Sequence, residues 1–301
     1  MERVMKLFAG LLVLLAAAPA LGALSIFACE PEWGALAKEL AGDKASIYVA
    51  TTALQDPHRI EARPSLIARA RSADLAVCTG AELEIGWLPL VQTQSGNSKI
   101  QTGQPGLFEA ARHVAMLEVP QKLDRAQGDV HAAGNPHVHL DPHNIAKIAA
   151  ALTERMAQLD PAEAAQYRAR AKTFLERWQQ AIARWEKTGL PIKGMAIVVY
   201  HKNMSYLSNW LGMREVASLE PKPGLPPTAS HLSELLASLA RDPAKAVVRS
   251  AYNDPRAAEW LAERAKIPAI ALAFTVGGND KAQDLFGLFD DTIARLLTAA
   301  K

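Results

Sequence analysis

The chain has 301 residues, with 33 Lys and Arg against 31 Asp and Glu, for a formal net charge of +2 at pH 7. Half of it is hydrophobic and 21% is charged, which suits a globular protein long enough for two domains that each bury a core. The near-neutral balance, with no Lys/Arg run and no basic helix face, argues against a nucleic-acid partner.

The first segment reads as a targeting signal. Arg3 and Lys6 precede an apolar run, Leu7 to Ala18, too short to span a bilayer. Ala20, Gly22 and Ala23 supply the small residues of a signal peptidase site. A signal peptide over residues 1–23, cleaved near Ala23, and a periplasmic mature protein are therefore expected. Export places Cys29 and Cys78 in an oxidising compartment. They end the first and third expected strands, and a disulfide and two buried thiols both remain open. Neither has a Cys-x-x-Cys companion, so metal ligation is not expected of them.

From Leu24 the pattern alternates. Strands are expected at Leu24–Cys29, Ala45–Thr51, Leu75–Thr79 and Val114–Val119. Helices are expected at Glu32–Ala41, Pro64–Ser72 and Leu83–Val91, and a polar loop at 93–106. Pro142–Leu159 reads as a helix. Asp160-Pro161-Ala162-Glu163 then carries the start signals of another, unbroken to Thr188. Phe174, Leu175, Trp178, Ile182 and Trp185 give it an apolar stripe, and about 28 residues at 1.5 Å each make a spine of roughly 40 Å. The second half repeats the rhythm. Strands are expected at Met195–Tyr200, Glu215–Leu219, Ala246–Arg249 and Ala269–Phe274, and helices at Ser205–Leu211, Ser230–Ala240, Pro255–Lys266 and Ala282–Ala299. The fold class is α/β: two lobes, each a mostly parallel four-stranded sheet flanked by helices, joined by one long helix. The lobes are expected at 24–160 and 189–301, with the connecting helix at 161–188. No residue-level repeat links the halves.

The densest chemistry lies in Gly134-Asn135-Pro136-His137-Val138-His139-Leu140-Asp141-Pro142-His143. Neutral imidazole is the commonest transition-metal ligand. In an extended segment, His137, His139 and Asp141 would share one face. His58 follows the second expected strand, His137 the fourth, and His201 the first strand of the second half. Parallel sheets present ligands beyond the carboxyl ends of their strands, so these three histidines are expected to meet between the lobes. Pro57 and Pro136 stiffen the backbone before two of them. Three imidazoles with an open fourth position suit zinc better than manganese, which prefers carboxylate oxygen. Asp141 reads as a cap of the following helix, His143 as off the metal, and His139 as the uncertain member. His113, His131 and His231 read as surface or structural residues, with His131 also able to help capture metal.

At these residues the chain resembles the metal-binding solute-binding proteins of ABC transporters, the zinc and manganese uptake group. The resemblance rests on the leader, Asp56-Pro57-His58, Ala81-Glu82-Leu83-Glu84 with Trp87, Pro136-His137-Val138-His139-Leu140-Asp141-Pro142, the long helix and Tyr200-His201. It covers essentially the whole mature chain. It implies a buried metal between two lobes, ligands at His58, His137 and His201, and an aromatic place at His139. It also implies a non-catalytic, monomeric protein that binds zinc, or less favourably manganese, and delivers it to an ABC permease at the inner membrane. Many relatives place a ligand Asp after the last strand. Here Val276 stands there and Asp280 is displaced, so water or a three-His site is expected.

The competing reading is an exported zinc hydrolase using His137, His139, Asp141 and His143. That cluster resembles the His-x-His-x-Asp-His motif of metallo-β-lactamase-like enzymes but is off by one at Pro142. A metallochaperone or adhesin of the same fold is not separated from a transporter subunit by the residues alone.

Overall fold

The computed structural model describes residues 23–122, 128 and 130–300. The expected signal peptide up to residue 22 lies outside the described residues. Among those described, no helix is long and apolar enough to cross a membrane.

The first lobe is built on β1 (Leu24–Ala28), β2 (Ala45–Val49), β3 (Leu75–Cys78) and β4 (Leu107–Glu109), all parallel, in the order β2-β1-β3-β4. Ile26 of the central strand pairs with Ile47 on one side and Leu75 on the other. Strands covered on both faces read as continuous apolar runs, and every residue of β3 is buried. The sheet is flanked by α1 (Pro31–Ala41), α2 (Pro64–Arg71), α3 (Leu88–Ser95) and α4 (Pro142–Leu159). Proline occupies the first turn of all four, where its missing N–H costs nothing. Because β1 and β3 are neighbours, Cys29 and Cys78 lie 4.8 Å apart between Cα atoms and form a disulfide. That settles the pairing the sequence leaves open.

A 26-residue helix, α5 (Ala164–Gly189), leads to the second lobe. There β5 (Ala196–Val199), β6 (Arg214–Ser218), β7 (Ala246–Ser250) and β8 (Ala269–Leu272) form a second parallel sheet in the order β6-β5-β7-β8. Its helices are α6 (Ser205–Leu211), α7 (Ala229–Leu239), α8 (Pro255–Ala265) and α9 (Leu285–Leu297). The two sheets share one strand order although their sequences show no repeat.

One apolar core runs from β1 through α5 to α9. Tyr167, Phe174, Trp178 and Trp185 on α5 are all buried in it, and each such side chain contributes roughly 2–3 kcal/mol by burial. The indole of Trp178 donates to Pro142 O of α4 at 2.8 Å, and that of Trp185 to Asp290 Oδ1 of α9 at 2.6 Å. The helix is thus bonded to both lobes, as a spine should be.

Three expectations need correction. The expected strand Val114–Val119 is irregular, and the fourth strand is Leu107–Glu109 instead. Glu118 sits at φ 53, which a strand does not allow. Leu117 spends its N–H on Tyr206 Oη at 3.0 Å and its carbonyl on Asn135 N at 2.8 Å, so the segment is wedged against the second lobe rather than paired in a ladder. The helix expected at Leu83–Val91 begins only at Leu88. Ala81 and Glu82 take positive φ, and the Glu84 carboxylate accepts from the Thr79 and Gly80 amides, closing a tight turn before Pro89. The spine starts at Ala164, after a turn. Asp160 does not cap it, because its carboxylate accepts from Tyr167 Oη at 2.7 Å.

Candidate metal centre

His58, His137 and His201 converge between the lobes. Their nearest ligand atoms lie within 4.8 Å of one another. Ring centroids are 5.2 Å apart for His58–His137, 5.6 Å for His58–His201 and 5.7 Å for His137–His201.

The imidazoles of His58 and His201 and the backbone of His137 are each held by a neighbour that sequence proximity or the fold supplies. The Asp56 carboxylate folds back on its own turn. Its Oδ1 accepts from the His58 backbone N at 3.0 Å and lies 2.8 Å from His58 Nδ1. Trp87 Nε1 donates to Pro57 O at 3.1 Å and anchors the same turn from below. His137 follows Asn135, whose Oδ1 accepts from the His137 amide at 3.0 Å while its Nδ2 donates to Lys202 O at 2.7 Å. Asn135 therefore ties the His137 segment to the residue after His201. His201 Nδ1 lies 2.6 Å from Glu220 Oε2. A carboxylate only accepts, so Nδ1 of both His58 and His201 carries the proton and the Nε2 lone pair is left for the site.

The buried atoms agree with that assignment. His58 Nε2 and both ring nitrogens of His137 are buried without a hydrogen-bond partner. Burial in the first place, and then the neighbouring His58 and His201, push the His137 imidazole well below its ordinary pKa. His137 is thus held neutral, the form that coordinates a metal. Burial pushes the Asp56 carboxyl up, but its hydrogen bond to His58 and the charge of that ring outweigh this, and the net shift is down. The arrangement offers three imidazole nitrogen donors inside two outer carboxylates, Asp56 and Glu220, which can balance a dication without touching it. Buried polar atoms left unpaired in a protein call for a ligand, and a borderline-soft divalent ion is the one this donor set fits.

The structure separates the rest of the histidine stretch. Residues Val138–Leu140 form a 3₁₀ turn, not the extended segment expected, so His137 and His139 do not share a face. His139 is 1% exposed and turned away, its Nε2 donating to Phe274 O at 2.9 Å and its Nδ1 3.3 Å from Glu32 Oε1. Asp141 caps α4 through the His143 amide at 2.8 Å, and His143 meets Glu186 at the surface. The hydrolase constellation is therefore dispersed. Phe274, not a carboxylate, packs edge-on against His137 at 5.4 Å where the last strand ends, and Asp280 is outside the group of three. His131 lies 5.3 Å from His58 between ring centroids and lines a cavity of about 340 Å³ beside His137 and His201. That is closer to the site than a surface role implies. His113 stacks on Phe108 and His231 Nε2 donates to Ser218 O. The other grouping with metal-like spacing among the described residues is Cys29, Cys78 and Glu84, and its sulfurs are tied in the disulfide.

Sequence reasoning missed Glu220 as the partner of His201. The available signal was a lone Glu opening a proline-rich loop straight after a strand. It also missed a buried acidic cluster behind the site. Glu30, Glu32 and Glu84 are each no more than 3% exposed. Thr79 Oγ1 accepts from Trp33 Nε1 at 2.8 Å and donates to Glu30 Oε2 at 3.4 Å, and Thr275 Oγ1 donates to Glu32 Oε2. Burial, with Glu84 and Glu32 beside it, raises the Glu30 carboxyl well above its ordinary pKa, and burial raises Glu84 to about 7.

Comparison with known proteins agrees with this architecture. A family model described as ZnuA, zinc-uptake complex component A periplasmic, matches residues 26–299. The high-affinity zinc uptake system protein ZnuA of Bacillus subtilis is 21% identical over 268 residues, covering 88% of this chain and 82% of that protein. ZnuA of Yersinia pestis is 25% identical over 203 residues, 61% of each. The zinc-binding lipoprotein AdcA of Streptococcus pneumoniae is 23% identical over 202 residues, and the match spans only 39% of its length. A crystal structure of ZnuA superposes with a TM-score of 0.78 at 20% identity, over 93% of this chain and 100% of that one. The solute-binding protein FpvC of Pseudomonas aeruginosa, solved with Mn2+, does so at 0.77 and 19% identity, over 92% of this chain and 98% of its own. At these identities the superpositions speak for the fold. The family is one of transport-associated binding proteins, not enzymes, and the chain belongs to it: it is a member of the periplasmic zinc-uptake component A family.

Proposed function

We propose that this protein captures a zinc ion in the periplasm at His58, His137 and His201 and delivers it to an ABC permease for uptake. The carrying observation is the convergence of three imidazoles, with the inward nitrogens of His58 and His137 buried and unpaired and the outer nitrogens of His58 and His201 held by Asp56 and Glu220. The zinc-uptake names of the relatives support the cargo. The fold alone does not choose the metal, since FpvC was solved with Mn2+. The donor set does: no carboxylate belongs to the group of three, and nitrogen-rich sets favour zinc over manganese. The mature protein begins near Ala23 and acts as a monomer, its lobes at 24–160 and 189–301 divided by the segment 161–188 that carries most of α5. A spine bonded to both lobes limits hinge motion, so release proceeds through small lobe or loop displacements.

The test is zinc and manganese binding by chelator competition on the mature protein and on single alanine variants of His58, His137, His139 and His201. One tightly held zinc, lost in the variants at 58, 137 and 201 but kept at 139, supports the proposal. Absence of stoichiometric metal in the wild type sinks it.

A further inference from the structure

Glu220 does more than face His201. Its Oε2 lies 2.6 Å from His201 Nδ1 and also accepts from the Gly224 amide at 2.9 Å. Gly224 sits at φ 79, inside the run Glu220-Pro221-Lys222-Pro223-Gly224-Leu225-Pro226-Pro227. Three of the first seven residues of that run are prolines and cannot donate from the backbone, and besides the Gly224 bond the run is held by Glu220 N on Tyr200 O and Leu225 N on Lys222 O. The Gly224 carbonyl in turn accepts from Arg59 Nη2 of the first lobe at 2.8 Å. Arg59 is the residue after His58, and its Nε lies 3.9 Å from Asp56 Oδ2. The contacts therefore close a ring: His58, Asp56, Arg59, Gly224, Glu220 and His201, with the candidate metal position as the missing link between the two histidines.

We propose that Glu220 is a positioning residue that couples zinc at His201 to closure of the 220–227 loop on Arg59 of the opposite lobe. This rests on the proposed function. Zinc on Nε2 draws electron density from the ring and makes Nδ1–H a stronger donor, which tightens its bond to Glu220. Glu220, so oriented, holds the Gly224 amide, and the Gly224 carbonyl then faces Arg59. Without the ion Nδ1–H is a weaker donor, so Glu220 still orients His201 but anchors the loop less firmly. Arg59 is mostly exposed, with 62% of its side-chain surface accessible, so its bond to Gly224 is a rim contact that opens easily once the anchor weakens.

The experiment uses zinc as the probe and reads chelator competition together with hydrogen exchange at 220–227, on wild type, Glu220→Ala, Glu220→Gln and Arg59→Ala. In the wild type, zinc slows exchange at the Gly224 amide. Glu220→Ala weakens zinc by about 10–100-fold, and saturating zinc no longer protects that amide. Glu220→Gln, which keeps an acceptor but not the charge, restores the protection while remaining weaker for zinc than the wild type. Arg59→Ala weakens zinc by less than Glu220→Ala does, because coupling to closure is reciprocal, and speeds zinc loss to the chelator. In the metal-free wild type, nitrogen NMR finds His201 as the Nδ1–H tautomer, and in Glu220→Ala a mixture. Wild-type affinity in Glu220→Ala, or undiminished loop protection by zinc in that variant, overturns the proposal. Should the alanine variant not fold, wild-type zinc affinity in Glu220→Gln overturns it equally. If the wild type itself holds no zinc, it is the proposed function that fails, which is a different result.

Discussion

Two histidine–carboxylate groups lie on either side of Phe274, whose ring is 5.4 Å from His137 and 4.8 Å from His139. In the first, Asp56 and Glu220 hold the outer nitrogens of His58 and His201, and the inward nitrogens of His58 and His137 are buried with nothing to meet. In the second, His139 is spent on the protein. One nitrogen bonds a carbonyl of the last strand's loop and the other faces Glu32 of α1, which also takes the Thr275 hydroxyl. The residue types are the same, and only two positions separate His137 from His139. The difference is where the carboxylate stands. Behind an imidazole it aims a lone pair outward and makes a site. His139 instead bonds across to Phe274 O while Glu32 takes the Thr275 hydroxyl, and the pair makes a bolt between lobes.

That contrast can be broken from either side. The largest effect is expected at His137, whose imidazole is central to the trio and fully enclosed. His137→Ala should abolish stoichiometric zinc in competition titrations, a greater loss than the 10–100-fold typical of removing an outer partner. His139→Ala should do the reverse. It keeps zinc affinity near wild type but leaves Phe274 O without its donor and a cavity where the buried ring packed on Trp33 and Phe274, and urea unfolding should show a loss of about 2 kcal/mol or more. A variant that lost zinc and kept its stability would show that His139 belongs to the site.

A smaller effect is expected from the acidic cluster behind the bolt. Glu30 and Glu84 are raised in the folded protein, Glu84 to about 7. The folded state therefore binds more protons than the unfolded chain above about pH 4.5, and stability contributed by the protonated groups is present below that value. It is lost as pH rises through 7. Glu30→Gln removes one ionisation from the cluster, so its melting temperature should exceed that of the wild type more at pH 8 than at pH 5. An equal offset at both pH values would mean that Glu30 does not carry the proton.

Smaller again is the response of the folded protein to its cargo. Zinc at 100 times its dissociation constant should stabilise by about 2.7 kcal/mol, seen as a rise of several degrees in melting temperature that a chelator reverses. The same addition to His137→Ala should give no rise.

Much of this was legible in the sequence because the signals were local. Pro142 after a capping Asp marks α4 at both its start and its role, and the α5 stripe announces a buried helix. The positions of His58 and His201 after strands follow from how parallel sheets present ligands, whereas His137 reaches the same place without the strand expected before it. What was not legible depends on partners far away in sequence. Val114–Val119 has strand-like composition, but its backbone is taken by Tyr206 and Asn135. The three-residue β4 exists only because β3 stands beside it. His139 looks like a ligand until Glu32, more than a hundred residues earlier, is placed against it. Glu220 gains meaning only when its loop returns to His201.

The most direct test of the central claim is X-ray absorption at the zinc edge on the zinc-loaded mature protein, compared with its His139→Ala variant. The account predicts three imidazole nitrogens at about 2.0–2.1 Å, completed by a light atom such as water oxygen and with no sulfur, and an unchanged spectrum in the variant. Sulfur near 2.3 Å, or an imidazole lost with His139, would contradict the assignment of the site to His58, His137 and His201.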